Sequence, residues 1–448
     1  MQLLIAETVA YNAGTPNKQQ NMKLKKHLFL SFLLFSILIS CKSTGEKTVH
    51  QKIEKQTNEI FDSLVEIRRD FHEYPELAAN EKRTSKIITE YLLNLGLEVK
   101  TGVAGYGVVG ILKGGKEGKN IAWRADMDAL PNDFPDKVPF KSKITGIQHG
   151  CGHDVHMTIA LGIAEVLSKN KESIKGTIYF IFQPEEETFV GAKNMVNSIL
   201  FSELNIDEIY ALHVTALPVG QIMVKPDELY AYQKRVQIKF NDEFSKEDAG
   251  ILYNQIRSEI LRKKDGANPW EIPMAFDAII GLSNPNTIFK DYLFMEENFV
   301  MEEDNNQLDI KAYIYETNKS NLPKILPKIE QVISKSAHKD KFVSTSFIQE
   351  NPTVLNDKLL TGIAMNTLTN IYGSKSVAMN YGQIPYFNDD FFYFQQKTPG
   401  VYFLLGGSNL EKGIKAMNHA PNFGVDEECI RVGVKCFSSL ILDRANSE

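Results

Sequence analysis

One short segment of the sequence carries four side chains that can bind a metal ion. It runs Gln148-His149-Gly150-Cys151-Gly152-His153-Asp154-Val155-His156, so one thiol and three imidazoles stand within nine positions. Thiolate sulfur and imidazole nitrogen are common ligands of zinc and related divalent cations. A single buried cysteine is more often a small apolar core residue. Clustering with other ligands and with turn-forming glycines favours a metal site here.

Three consecutive glutamates, Glu185, Glu186 and Glu187, follow the apolar run 177–182 and the dipeptide Gln183-Pro184. A run of acids is usually a solvated surface. This one stands at the carboxyl end of a predicted buried strand, where α/β sheets place their ligand sites. Neighbouring carboxylates can divide two tasks there, because one can bind metal while the other accepts the proton of an activated water.

Two more histidines and two aspartates occupy similar positions. His213 follows the predicted strand 209–212, and His419 lies in a loop-like segment near the end of the chain. Each histidine alone would be structural, but together with the clusters they complete a set of Cys, His and Glu of the size that two metals need. Asp126 and Asp128 follow another apolar run and would orient the metal ligands through hydrogen bonds.

The elements that would position these residues alternate between strand and helix. Short apolar runs flank a helical pattern over 157–167, which is typical of an α/β layered domain. The runs are 108–112, 121–123, 177–182 and 209–214. Upstream, residues 60–97 have helical periodicity interrupted by Tyr74-Pro75-Glu76, which predicts a pair of helices.

A second block, residues 231–347, has a different pattern. It reads strand, helix, two strands, helix and strand, the split βαβ arrangement of a small inserted α+β domain. The predicted elements are 236–240, 246–263, 293–301, 308–315, 322–336 and 342–347. The insertion divides the α/β domain into a first part, 57–230, and a second part, 348–448.

These motifs, in this order, resemble the M20 family of metallopeptidases, in the branch of N-acyl-amino-acid and auxin-conjugate amidohydrolases. The matching stretches are 67–77 (Ile-Arg-Arg-Asp-Phe-His-Glu-Tyr-Pro-Glu-Leu), 124–131, 151–154, 183–187, 212–214, 388–391 (Asn-Asp-Asp-Phe) and 419–423 (His-Ala-Pro-Asn-Phe). The resemblance implies an α/β fold with a zinc-peptidase-like layered catalytic domain and an inserted ferredoxin-like α+β lid domain. It also implies a metal-dependent amidohydrolase that acts on a small N-acylated amino acid or peptide.

Carried over by motif, the resemblance assigns a role to each candidate residue. Two divalent cations, zinc or manganese, would be bound, and Glu186 would be the general base. Asp389 and Asp390 would support His419, and the lid would allow a homodimer. The implied metal ligands are Cys151, His153, Glu187, His213 and His419.

The sequence departs from the family at two places. The family has a small residue where Glu185 stands, and its lid begins with a Gly-Gly-His-Ala type turn whose histidine helps to hold the substrate. Here the segment 241–246 reads Asn-Asp-Glu-Phe-Ser-Lys. Asn241, Ser245 and Lys246 are possible replacement donors, and a plain helix start is the alternative. Two classes therefore stay open: an active amidohydrolase, and a metal-bearing binding protein with weak turnover.

The amino end has the pattern of a bacterial lipoprotein signal. From Met22 a basic segment and an apolar run lead to Leu38-Ile39-Ser40-Cys41, which resembles a lipobox. We expect residues 1–21 to be a non-native extension, 22–40 a signal peptide and 41–56 a tether. Lipid on Cys41 would anchor the protein to the cell envelope, facing the periplasm or exterior, and an uncleaved anchor is the alternative. A net charge of -6 argues against a nucleic-acid partner.

Overall fold

The computed structural model describes residues 49–241, 244–277, 279–304 and 307–447. Contacts separate the segment 1–52 from a unit that spans Ile53–Glu448, and the fold given below is that of the second unit. The extension, the signal segment and Cys41 lie outside the described residues. Residues 53–56 of the predicted tether are helical and Ile53 is fully buried, so the folded part begins before residue 57. Among the described residues, no helix is both long and apolar enough to cross a bilayer.

The helices and strands follow one another in an order close to the predicted one. The helices are α1 (53–73 in this unit), α2 (Lys82–Asn94), α3 (His153–Ser168), α4 (Gly191–Val196), α5 (Ile199–Glu203), α6 (Lys246–Ile260), α7 (Leu322–Lys335), α8 (Lys358–Tyr372), α9 (Phe392–Gln395) and α10 (Glu428–Asn446). The strands are β1 (Glu98–Val103), β2 (Gly107–Lys113), β3 (Lys116–Asp126), β4 (Lys175–Gln183), β5 (Glu208–Pro218), β6 (Ile222–Val224), β7 (Asp227–Glu228), β8 (Tyr232–Asn241), β9 (Leu293–Met295), β10 (Val300–Asp304), β11 (Gln307–Glu316), β12 (Phe342–Glu350), β13 (Leu355–Asn356), β14 (Val377–Met379) and β15 (Gly400–Ser408).

An eight-stranded sheet in the order β1-β2-β4-β3-β5-β15-β6-β14 forms the centre of the catalytic domain. Its strands β4, β3, β5 and β15 are parallel to one another, so their carboxyl ends reach the same edge. Both faces are covered, which explains why residues 121–126, 178–183, 208–215 and 400–408 of these strands are buried. On one face Trp123 packs against Phe437 of α10, and on the other Tyr179 and Ile181 join a core cluster with residues of α4, α5 and α9.

The lid domain is an antiparallel sheet covered by α6 and α7. Its strand order, β10-β11-β8-β12, is that of a ferredoxin-like fold, which confirms the expected architecture. The predicted strand 293–301 is divided into β9 and β10, because residues 296–299 leave the ladder between them. The predicted helix 246–263 ends at Ile260.

The start of α6 is a plain helix start. The Ser245 hydroxyl accepts a hydrogen bond from the Asp248 amide at 3.1 Å and so caps the helix. The Lys246 ammonium forms an ion pair with Glu303 at 3.1 Å. Both side chains are therefore engaged within the lid, which favours the helix start over a substitute for the missing histidine turn.

A long connection between α6 and β9, residues 261–292, ties the lid to the catalytic domain. The Tyr292 hydroxyl donates to the Gln383 carbonyl at 2.8 Å, and the Gln383 amide donates to the Phe289 carbonyl at 2.9 Å. Phe289, Tyr292 and Leu282 are fully buried in the same core cluster as the central sheet. Apolar residues of an apparent loop thus form part of the catalytic domain's core.

Candidate metal centre

The predicted site residues meet at the carboxyl edge of the parallel strands. β3 and β4 end at Asp126 and Gln183, which are opposite each other in the ladder. His213 lies inside β5, which continues to Pro218, rather than after the end of the strand as predicted. Gly152, at φ 101°, turns the chain into α3, and a Cβ atom there would come within 2.3 Å of a Val214 methyl. Only glycine satisfies both demands.

Cys151 and His213 form one side of the cluster. The Cys151 Sγ lies 3.3 Å from His213 Nε2, and His213 Nδ1 donates to the Val214 carbonyl at 2.8 Å. The Nε2 lone pair is therefore directed towards the sulfur. Burial raises the pKa of the Cys151 thiol well above its usual value and lowers the pKa of His213 well below its usual value. A thiolate at this position needs a nearby cation, which is the requirement of a metal ligand.

His153 supplies the observation that best fits a bound cation. Its Nδ1 donates to the Asp128 carbonyl at 2.7 Å, while its fully buried Nε2 has no hydrogen-bond partner among the described residues. That nitrogen lies 3.7 Å from a Glu186 oxygen and 3.8 Å from a Glu187 oxygen. Burial alone would lower its pKa, but Asp126 and the other surrounding carboxylates raise the pKa of His153 to about 10. The surrounding carboxylates therefore favour a positive charge beside His153, and its Nε2 is a nitrogen that can bind a cation there.

Overlapping groups of ligand atoms connect all five predicted metal ligands. In each group the atoms lie within 4.8 Å of one another. The groups are Cys151 with His153 and His213, Cys151 with Glu187 and His419, and His153 with Glu186 and Glu187. His419 Nε2 lies 3.2 Å from Glu187, and the imidazole is half exposed, so this end of the cluster is open to solvent. Cys151, His153 and Glu187 each belong to two of these three groups, so the groups form one cluster of the size that two cations need.

Glu186 lies at the buried end of the cluster, beside Asp389 and Asp390. Burial, reinforced by these acids and Glu187, raises the pKa of Glu186 well above its usual value. The Arg124 guanidinium forms ion pairs with both aspartates at 3.1 and 3.0 Å. Asp389 and Asp390 therefore lie beside Glu186 and Arg124, and the expected support of His419 by the stretch 388–391 stays a prediction.

The backbone of the glutamate run is held by two carboxylates. Asp128 accepts the Glu186 and Glu187 amides, each at 3.0 Å, and Glu81 accepts the Glu185 amide at 2.9 Å. Glu185 has a φ of 57°, a left-handed conformation that is unfavourable for a residue with a side chain. Asp128 was predicted from the sequence as a supporting residue, whereas Glu81 was not, because no local motif connects it with the site.

His156 also belongs to the supporting set. Its Nδ1 donates to Asp126 at 2.6 Å, and its Nε2 accepts the Val214 amide at 2.9 Å. Both ring nitrogens are thus occupied, and the imidazole holds Asp126 against β5. From the sequence His156 was counted only among the metal-capable side chains; its spacing of three residues from His153 on α3 was a signal that could have indicated this role.

Together, the fold and the cluster define a metallohydrolase with a layered α/β catalytic domain and an inserted lid. The model of Peptidase family M20/M25/M40 matches residues 122–443, and the chain belongs to this family. It is 32% identical over 414 residues to thermostable carboxypeptidase 1 of Saccharolobus solfataricus, covering 88% of this chain and 99% of the relative. It is 30% identical over 418 residues to IAA-amino acid hydrolase ILR1-like 4 of Arabidopsis thaliana, covering 91% and 92%.

A solved structure has the same fold. The YXEP protein of Bacillus subtilis, described as a dinuclear metal binding peptidase from the M20 family, superposes with a TM-score of 0.67 at 25% identity. The match covers 86% of this chain and 98% of that one. Family membership confirms the predicted class: the chain is a metal-dependent hydrolase of amide bonds.

Proposed function

We propose that this protein hydrolyses the amide bond of a small N-acyl amino acid or short peptide. The observation that carries the proposal is the buried His153 Nε2, which has no partner and faces carboxylates in a cluster with Cys151 and His213. The names of the relatives support the substrate class, since one is a carboxypeptidase and another a hydrolase of an amino acid conjugate.

Two divalent cations would be held by Cys151, His153, Glu187, His213 and His419. Sulfur and nitrogen ligands suit zinc, and the carboxylate and imidazole ligands also suit manganese. Such cations, when bound, activate water and polarise the scissile carbonyl. Cys151 serves as a ligand and not as a nucleophile, because burial disfavours its free thiolate.

Glu186 is the general base in this proposal. It accepts the proton of the attacking water and later delivers that proton to the leaving nitrogen. Burial raises the pKa of Glu186, which favours holding the transferred proton between the two steps, and nearby cations would favour the carboxylate form that first accepts it. Glu187, whose pKa is lowered by its hydrogen bond to His419 and the nearby His153 charge despite burial, stays ionised as a ligand should.

The test is a screen of N-acetyl amino acids, N-benzoyl amino acids and dipeptides with added zinc, manganese or cobalt. We expect hydrolysis of at least one class, and its loss in Glu186→Gln. Because the lid has no histidine turn, we expect kcat/KM on simple substrates below the common range of about 10⁴ M⁻¹s⁻¹. Metal binding without hydrolysis of any substrate would support the metal-bearing binding protein instead.

We further propose that the protein is lipid-anchored to the bacterial envelope through Cys41 and forms a homodimer through the lid. The lipobox-like Leu38-Ile39-Ser40-Cys41 supports the anchor. Expressed from Met22 in a bacterial host, the wild type should incorporate labelled lipid and Cys41→Ser should not. Equal labelling of both would contradict the anchor, and a monomeric mass in solution would contradict the dimer.

A further inference from the structure

The glutamate run is anchored at three consecutive backbone amides, and one anchor comes from a distant helix. Glu81 stands directly before α2 and its carboxyl oxygen accepts the Glu185 amide at 2.9 Å, across 104 positions of sequence. Its side chain is fully buried. The next two amides are bound by Asp128. Glu81 therefore binds the backbone of Glu185, which has the left-handed conformation within the run 185–187.

We propose that Glu81 is a positioning residue for the reaction: by binding the Glu185 amide, it fixes the backbone from which Glu186 and Glu187 project. This inference rests on the proposed function of Glu186 as base and Glu187 as ligand. A left-handed conformation at a residue with a side chain persists only where its surroundings hold it. Glu81 and Asp128 provide that hold from two sides of the run.

The surroundings of Glu81 argue against a simple helix-capping role. The start of α2 is already served by Glu76, whose two oxygens accept the Arg83 amide at 3.0 Å and the Thr84 amide at 2.8 Å. The Glu81 side chain makes no cap hydrogen bond to its own helix. Its main chain is fixed independently, since its carbonyl accepts the Ser85 amide at 2.9 Å. Among the described residues, the hydrogen bond that the Glu81 carboxyl accepts from another residue comes from the Glu185 amide.

A carboxyl group at the buried position 81 is unfavourable for folding, which indicates a role in the site. The second Glu81 oxygen, Oε2, is enclosed by the protein and has no hydrogen-bond partner in the part of the chain that the structure describes. An enclosed polar atom without a partner disfavours folding, and an apolar residue at this position would avoid that cost. A carboxyl group that is unfavourable for folding at a buried position is typical of residues that serve a site. Its accepted bond to the Glu185 amide is the feature an apolar residue could not supply.

The main test compares Glu81→Ala, Glu81→Gln and the matched control Glu76→Ala in the metal-loaded full chain. Glu81→Ala removes the acceptor, so kcat should fall about 10-fold to 100-fold while KM and metal content stay within about twofold. Glu81→Gln keeps a carbonyl acceptor and should retain most of the kcat. Glu76→Ala removes an acid from the same helix start without touching the glutamate run, so its kcat should stay near wild type. An unchanged kcat in Glu81→Ala would overturn the proposal.

A second measurement does not depend on turnover. Hydrogen exchange followed by mass spectrometry should be faster over residues 184–190 in Glu81→Ala than in wild type, and unchanged there in Glu76→Ala. Equal exchange in wild type and Glu81→Ala would overturn the proposal even if kcat had fallen. If wild type hydrolyses no substrate in the screen, the proposed function fails, and the exchange result still decides whether Glu81 fixes the run.

A double variant tests the route through the backbone. Glycine adopts a left-handed conformation without strain, so Glu185→Gly should reduce the need for the Glu81 anchor. Adding Glu185→Gly to Glu81→Ala should recover about threefold or more of the lost kcat. No recovery would contradict the route through the Glu185 backbone.

Discussion

Replacing Glu81 by glutamine should make the metal-free protein more stable above pH 7. Burial, reinforced by the charges of Asp128 and Glu185 and opposed by two backbone amides, raises the pKa of Glu81 from 4.5 to about 7. At about 1.4 kcal/mol per pKa unit, ionising Glu81 in the folded state costs about 3 kcal/mol. The glutamine amide faces no acceptor at the enclosed Oε2 position, which offsets part of this gain. We expect a net stabilisation of about 1–3 kcal/mol.

The sign follows from proton binding. Between pH 4.5 and 7 the folded protein holds the Glu81 proton more tightly than the unfolded chain, so wild-type stability falls as pH rises through this window. Glutamine has no proton to lose. The advantage of Glu81→Gln should therefore be absent near pH 4 and complete above pH 7.

The assay is unfolding by denaturant or heat at pH 5 and pH 8, after removal of metal with a chelator. Glu76→Gln is the control, because it weakens two hydrogen bonds at the start of α2 and should destabilise rather than stabilise. Loading divalent cations should shrink the effect of Glu81→Gln, since nearby positive charge favours the carboxylate. A Glu81→Gln protein no more stable than wild type at pH 8 would refute the argument from burial.

Three other predictions concern the site and its support. Glu186→Gln should keep its metal while kcat falls by roughly 100-fold or more, whereas Glu187→Gln should lose metal as well; the reverse pattern of metal content would show that the two roles are exchanged. Chelation should lower the melting temperature, and zinc or manganese should restore it; a melting temperature that ignores both would contradict a built metal site. His72 contacts Asp154 at 2.8 Å and Asp136 at 2.9 Å, and although burial and Arg68 act against it, these acids raise its pKa. Protonated His72 should stabilise the fold fully below about pH 6.5, and this stabilisation should be lost as pH rises through the raised pKa. Between pH 6.5 and 9 the melting temperature of wild type should therefore fall more steeply than that of His72→Gln. Equally steep falls in the two proteins would contradict this expectation.

The sequence by itself predicted the candidate metal-binding groups, because their signals are local and match the motifs of a known family. Cys151 and His153 stand two positions apart at a helix start, and the glutamate run directly follows an apolar strand. The carboxyl ends of parallel strands lie at one edge of the sheet, so the sequence alone predicted that strand ends far apart along the chain lie close together in space. Alternating and helical patterns predicted a small inserted α+β domain, since each pattern fixes one element at a time, and the family resemblance implied that this domain is ferredoxin-like.

Tertiary structure alone decided how the ligands are supported. Nothing near Glu81 in the sequence indicates that its carboxyl reaches Glu185, and nothing near Asp389 indicates an ion pair with Arg124 at 3.1 Å. The segment 261–292 has no regular apolar period, yet Tyr292 is fully buried and bonded to the catalytic domain. Periodicity reports which face of an element is buried, whereas these contacts depend on how separate elements pack against one another. The candidate metal ligands were therefore predictable from local motifs, and the hydrogen bonds and ion pairs that hold them were set by the packing of the folded chain.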